Sequence, residues 1–128
     1  MSRPRDLELA RAAEDDIAAI LDHSAEAFGH AARRRYEVLI ATGLQDLRSD
    51  PLRPTSLARP ELQAGVRTYH LRHCRDRAAT VEGAVRAPRH LLVYEAPTTA
   101  LVRVLRVLHD AMELDRHIPA ADNSPPGG

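Results

Sequence analysis

Three runs in the second half of the chain carry the residue types that phosphodiester cleavage uses: Arg67-Thr-Tyr-His-Leu-Arg-His73, Val85-Arg-Ala-Pro-Arg-His-Leu-Leu-Val-Tyr94 and Val102-Arg-Val-Leu-Arg-Val-Leu-His-Asp-Ala-Met112. Cutting RNA through its 2′-hydroxyl needs a base, an acid for the leaving oxygen and a cation for the phosphorane. Arg67, His70, Arg89, His90 and His109 offer all three. They work together only if the strands that hold them bring them to one face. A single sequence does not fix strand register, so a second reading stands beside catalysis: histidines satisfied inside a sheet by backbone or neighbours.

The same residues make poor metal ligands. None of the 7 histidines has the His-x3-His spacing of one helix face, and the single cysteine, Cys74, excludes paired-cysteine motifs. His70 and His73, three apart, are expected to point to opposite faces of a strand. No metal and no cofactor is therefore expected.

Charge gives a different signal. The formal net charge is zero, and all 18 cations are arginine. Residues 1–50 carry 7 Arg against 10 acids, residues 51–109 carry 10 Arg against 4 acids, and residues 110–128 carry 1 Arg against 4 acids. An arginine bias inherited from a GC-rich genome accounts for the absence of lysine. It does not account for the segregation. Guanidinium offers a planar fork to carboxylate or phosphate, so Arg67, Arg72, Arg86, Arg89, Arg103 and Arg106 form either a solvated face or a patch for an anionic partner.

The elements that must position these residues follow from periodicity. Leu7-Glu8-Leu9 alternates like a short strand. From about Ala12, Ile17, Ile20, Leu21, Ser24 and Phe28 recur at helical spacing, with Glu14, Asp15 and Asp16 early, where the helix dipole favours acids. Gly29 supplies the stop. A second stripe through Ala32, Tyr36, Leu39, Ile40, Gly43, Leu44 and Leu47 predicts a helix over 30–49, with Arg33, Arg34, Glu37 and Asp46 mostly outside it. Pro51, Pro54, Pro60 and Gly65 mark a connecting loop over 50–65. Strands are expected over 66–72, with Tyr69 and Leu71 toward the helices, then over 90–95 and 101–109, joined by a loop over 96–100. The last of these, apolar on both faces except at Arg103 and Arg106, is expected either at the centre of the sheet or covered by something else.

The predicted architecture is α+β: a short N-terminal strand, then an antiparallel helical hairpin packed on one face of an antiparallel β-meander, with the other face uncovered. One domain over 1–118 and a disordered Pro/Gly-rich tail over 119–128 are expected. The start has no apolar core and the apolar runs are broken by arginines, so neither a signal peptide nor a membrane span is predicted. The lone cysteine fits a reducing compartment, and the cytoplasm is expected.

On these residues the chain resembles the ParE/RelE superfamily of type II toxins, and ParE more than RelE. The matching pieces are Leu9-Ala-Arg-Ala-Ala-Glu-Asp-Asp-Ile17 with Ile20, Phe28-Gly29, Tyr36 through Leu47, and Gly65-Val-Arg-Thr-Tyr-His70. Val85 through Tyr94 and Val104 through Met112 complete them, Arg89-His90…Tyr94 and Arg106-Val-Leu-His109 being the specific part. Where such proteins usually carry a serine helix cap, this chain has Arg11-Ala12.

The resemblance implies a toxin neutralised by an acidic ParD-like antitoxin, with any DNA contact made through that antitoxin. A ParE-like member inhibits DNA gyrase by protein contact and is not an enzyme; a RelE-like member is a ribosome-dependent mRNA endonuclease; an inactive relative kept as a partner-binding component is a third possibility. The arginine patch would receive antitoxin carboxylates. Asp110, Met112, Leu114 and Arg116, after the last strand, would contribute to the target contact.

Overall fold

The computed structural model of the chain describes residues 3–112 and Leu114. Arg116 and the tail expected over 119–128 lie outside these residues.

Strand β1 (Asp6–Leu9) points Leu7 and Leu9 into the core and ends at Ala10, which starts helix α1 (Arg11–Phe28) with no side-chain cap. Gly29, at φ +91°, closes α1 and opens helix α2 (His30–Ser49), so one left-handed residue folds the two helices into a hairpin. Tyr36, Leu39, Ile40, Leu44 and Leu47 press α2 onto the sheet. A Cβ at Gly43 would stand 2.5 Å from Leu71 Cδ2, so glycine here sets how closely the helix approaches.

Five strands form the sheet, in the order β1-β5-β4-β3-β2. They are β2 (Leu57–Ala58), β3 (Val66–His70), β4 (His90–Thr98) and β5 (Leu101–His109), with β1 at the far edge. The three expected strands make the antiparallel meander, β1 adds parallel to β5, and β2 adds antiparallel to β3. β5 is therefore interior, one of the two placements its apolar faces allow. Val102, Val104 and Val107 meet the helices, while Leu105 and Leu108 belong to the opposite face. Tyr94 pairs with Val104 but Val93 with Arg106, so Leu105 is an extra residue at a β-bulge.

Several expectations are corrected. Phe28 is not part of the buried stripe; it is 73% exposed, because α1 has outrun the core by its last residue. Asp46 is not on the solvent side but 7% exposed, drawn in by Arg77, Arg53 and Tyr69. The loop over 50–65 contains β2, two residues whose pairing the surrounding prolines conceal. Strand β3 stops at His70 rather than Arg72. There the imidazole Nδ1 accepts the Arg72 N–H at 3.0 Å and turns the backbone into a 3-10 turn over Leu71–Cys74. His73 is thus outside the strand, and the opposite-face argument does not apply to it. β4 extends to Thr98 through Pro97, which is accommodated at a register irregularity between Glu95 and Thr98.

The face away from the helices is also less bare than expected. Val66, Val93 and Leu108 are buried there beneath Leu62 and Leu114, with Leu91 and Leu105 alongside. Among the described residues, the irregular segment before β3, through Leu62, and Leu114, five positions past the end of β5, do the covering.

Where β1 ends, the edge of β5 is finished by a side chain. Asp16 of α1 accepts the Val107 N–H at 2.9 Å and the Arg106 guanidinium at 2.7 and 2.8 Å, so a carboxylate stands where the next strand's carbonyls would be.

Candidate functional site at the end of the sheet

The start of β4 and the end of β5 coincide. His90 pairs with His109, and their rings meet edge to face with centroids 5.4 Å apart. From α2, the Tyr36 hydroxyl is hydrogen-bonded to His90 Nδ1 at 2.6 Å and accepts the Arg89 N–H at 3.4 Å. Burial, with the charge of His109 adding to it, pushes His90 down to about 4. Burial likewise raises the Tyr36 phenol above its ordinary value. Both groups are therefore uncharged at neutral pH.

Asp110 follows immediately. Its Oδ2 accepts from His70 Nε2 at 2.9 Å and its Oδ1 from Arg89 Nε at 3.1 Å, while its N–H donates to the Arg89 carbonyl at 2.8 Å. His70 Nδ1 already accepts the Arg72 N–H, so the ring's proton sits on Nε2 and the imidazole can donate to the carboxylate. The His70 hydrogen bond, with the Arg89 charge in support, holds the Asp110 carboxyl below the usual carboxylate range. His109 Nδ1 accepts the Ala111 N–H at 3.1 Å, and the Met112 N–H donates to the His109 carbonyl at 3.0 Å.

Of the residues weighed for ribonuclease chemistry, His70, Arg89, His90 and His109 are thus brought together. Arg67 is not: it sits about 10 Å along β3 from His70, its guanidinium on the Ser56 Oγ at 2.7 Å. One member of the cluster, Tyr36, escaped sequence reasoning, since it reads as one more apolar position of α2. Asp110 is expected there only as part of the target contact, and the pairing of His90 with His109 is what places both beside the histidines.

The six arginines of the expected patch are dispersed. Arg103 bridges Glu8 and Glu95 at 2.8 and 2.7 Å, Arg106 holds Asp16, Arg67 holds Ser56 and Arg89 holds Asp110. Arg72 and Arg86 are exposed, and their guanidinium groups meet no side-chain partner among the described residues. The acids of the N-terminal half, Glu8, Asp16 and Asp46, fold back onto the basic half, so the segregation seen in sequence is largely neutralised in space.

His90 gives the cluster a pH signature. A base held below its unfolded value near 6.5 destabilises the fold as pH falls from there toward 4, since the unfolded chain binds the proton first. With the ring partly exposed, the loss is expected to be about 1–2 kcal/mol. Urea midpoints at pH 7 and pH 4.5 should differ more for the native chain than for His90→Gln, and an equal difference would reject this origin.

No described helix is long and apolar enough to cross a membrane, and no group of three or more described His, Cys, Asp or Glu side chains is arranged to hold a metal ion.

Residues 7–114 match the family described as "ParE toxin of type II toxin-antitoxin system, parDE". No curated protein matches the chain. A solved structure, described as the chromosomal ParDE TA system from P. aeruginosa, superposes with a TM-score of 0.59 at 18% identity. The match covers 84% of this chain and 98% of that one, and it shows a shared fold. Because the family match runs from β1 through the residue that closes over the far face of the sheet, the chain belongs to the ParE toxin family of type II toxin–antitoxin systems.

Proposed function

We propose that this protein arrests growth by binding DNA gyrase in the cytoplasm, without chemistry of its own, and is neutralised by an acidic ParD-like antitoxin that supplies any DNA contact. Family membership supports the toxin role. One observation carries the choice of contact over catalysis: the basic groups of the histidine cluster are already committed. His90 is a weak base tied to Tyr36, and His70 is tied to Asp110. Arg67, the cation proposed for a phosphorane, points to Ser56 instead.

In this reading Asp110, Met112 and Leu114 belong to the target contact, as does Arg116 beyond the described residues. The antitoxin's carboxylates fall on the expected arginines, first on Arg72 and Arg86, which need give up no internal partner. Arg67, Arg89, Arg103 and Arg106 join only by exchanging or sharing theirs, a modest cost where the existing pairs are exposed.

A supercoiling assay with purified gyrase tests the proposal. The chain should block supercoiling and leave message intact on translating ribosomes. Intact supercoiling together with cleaved message would instead identify an mRNA endonuclease.

A further inference from the structure

The histidine cluster borders a groove of about 800 Å³ between the tip of the helical hairpin and the segment leading into β4. Phe28 and Ala32, at the junction of α1 and α2, form one wall; Val85 and Arg86 stand in the other; His90 and His109 line its inner end.

The groove is preformed. Thr80 and Gly83 exchange two backbone hydrogen bonds of 2.9 Å, with Gly83 at φ +100°. Arg34 clamps the Glu82 carboxylate at 2.9 and 2.5 Å, and Arg75 Nε donates to the carbonyls of Val85 and Arg86 at 2.6 and 3.0 Å. A wall tied by two arginines and a closed turn loses little freedom when something docks against it.

Its chemistry is specific. Phe28, largely exposed and edge-on to His23 at 6.5 Å, offers an aromatic surface at the rim. Arg35, Arg86 and Arg89 line the groove, and the one carboxylate among its lining residues, Glu82, is already engaged by Arg34. An apolar cleft with cations around it and its acid neutralised complements a negatively charged ligand with a bulky apolar group.

We infer that this groove seats an acidic segment of a partner protein, which inserts one bulky apolar side chain between Phe28 and Val85 and sets carboxylates on Arg35 and Arg86. Assigning that segment to the antitoxin rests on the toxin reading above. The contact then centres on the hairpin tip, and on the sheet Arg67, Arg103 and Arg106, which already hold internal partners, take a lesser share.

The probe is a fluorescein-labelled peptide, Asp-Glu-Glu-Leu-Phe-Glu-Glu-Asp, titrated into the full chain and followed by anisotropy. Saturable binding is expected, weakened at least tenfold by Arg86→Glu, by Phe28→Ser, by amidating the peptide's acids, or by replacing its Leu-Phe with Ser-Ser. Arg86→Lys should keep most of the affinity. Both altered positions are exposed, so unchanged melting curves should accompany the losses. Absence of saturable binding, equal binding by the amidated peptide, or equal binding by the two variants overturns the inference. Expressing the native chain alone in bacteria separates this from the toxin reading. Growth arrest with undiminished peptide binding by the variants removes the groove and leaves the toxin. Binding lost in the variants without growth arrest upholds the groove and removes its assignment to an antitoxin.

Discussion

Asp46→Ala is expected to destabilise the fold by about 3 kcal/mol, the cost of leaving the partners of a buried charge behind. One carboxylate joins three elements. Asp46 on α2 takes both Arg77 Nη atoms at 2.7 Å from the second 3-10 turn (Asp76–Ala78), and the Tyr69 hydroxyl at 2.7 Å from β3. Arg53 approaches at 3.5 Å while its guanidinium lies over the Tyr69 ring at 5.4 Å. Without the carboxylate, the buried Tyr69 hydroxyl loses its acceptor and two arginines lose their common anion. Asp46→Asn, which retains an oxygen for Tyr69, should lose less.

The same site predicts an acid dependence. Burial pushes the Asp46 carboxyl upward, but the Arg77 and Tyr69 hydrogen bonds outweigh it and hold the carboxyl below its ordinary value. Its stabilisation is therefore complete above the ordinary carboxylate range and is lost as pH falls through the depressed value. Thermal melts from pH 6 to pH 3 should decline less steeply for Asp46→Ala than for the native chain. A native-like melting temperature for the alanine variant at pH 7 would reject the network as a stabilising element.

On the gyrase proposal, with Met112 in the target contact, Met112→Asp is expected to reduce inhibition of supercoiling by about 30-fold or more, the scale of a central interface residue. Met112 is 44% exposed, so the change should leave the fold alone. Its backbone, however, is fixed: the Asp110 carboxylate is anchored by His70 and Arg89, and the Ala111 and Met112 N–H groups are both taken by His109. An apolar side chain held out on a pinned turn enters a contact with little ordering left to do. Unchanged inhibition with a folded variant would move the target contact elsewhere, and unchanged antitoxin binding alongside lost inhibition would separate the two surfaces.

Periodicity exposes the helices well because their punctuation is local. Gly29 alone ends one helix and begins the next, and the apolar stripe of α2 is read directly from its spacing. The site is less legible because it depends on register. A plain loop over 96–100 would set Glu95 opposite Leu101 and His90 opposite Arg106. The hairpin instead turns at Thr99–Ala100, tolerates Pro97 and carries an extra residue at Leu105, which brings His109 opposite His90. Nothing in residue type marks that shift. Phe28 and Asp46 mislead for complementary reasons: helical spacing shows which side a residue is on, but not where the core ends or which cations lie beneath it.

β5 lies between β1 and β4, yet it is the last of the five strands along the chain. On the ribosome, Leu7 and Leu9 have no strand to pair with until the residues opposite them, Val102 and Val104, have emerged some ninety positions later. Such distant contacts make completion slow compared with forming the helical hairpin. A polypeptide interrupted before residue 101 lacks the strand that joins the two halves of the sheet, so prematurely terminated translation products should be unable to poison the cell.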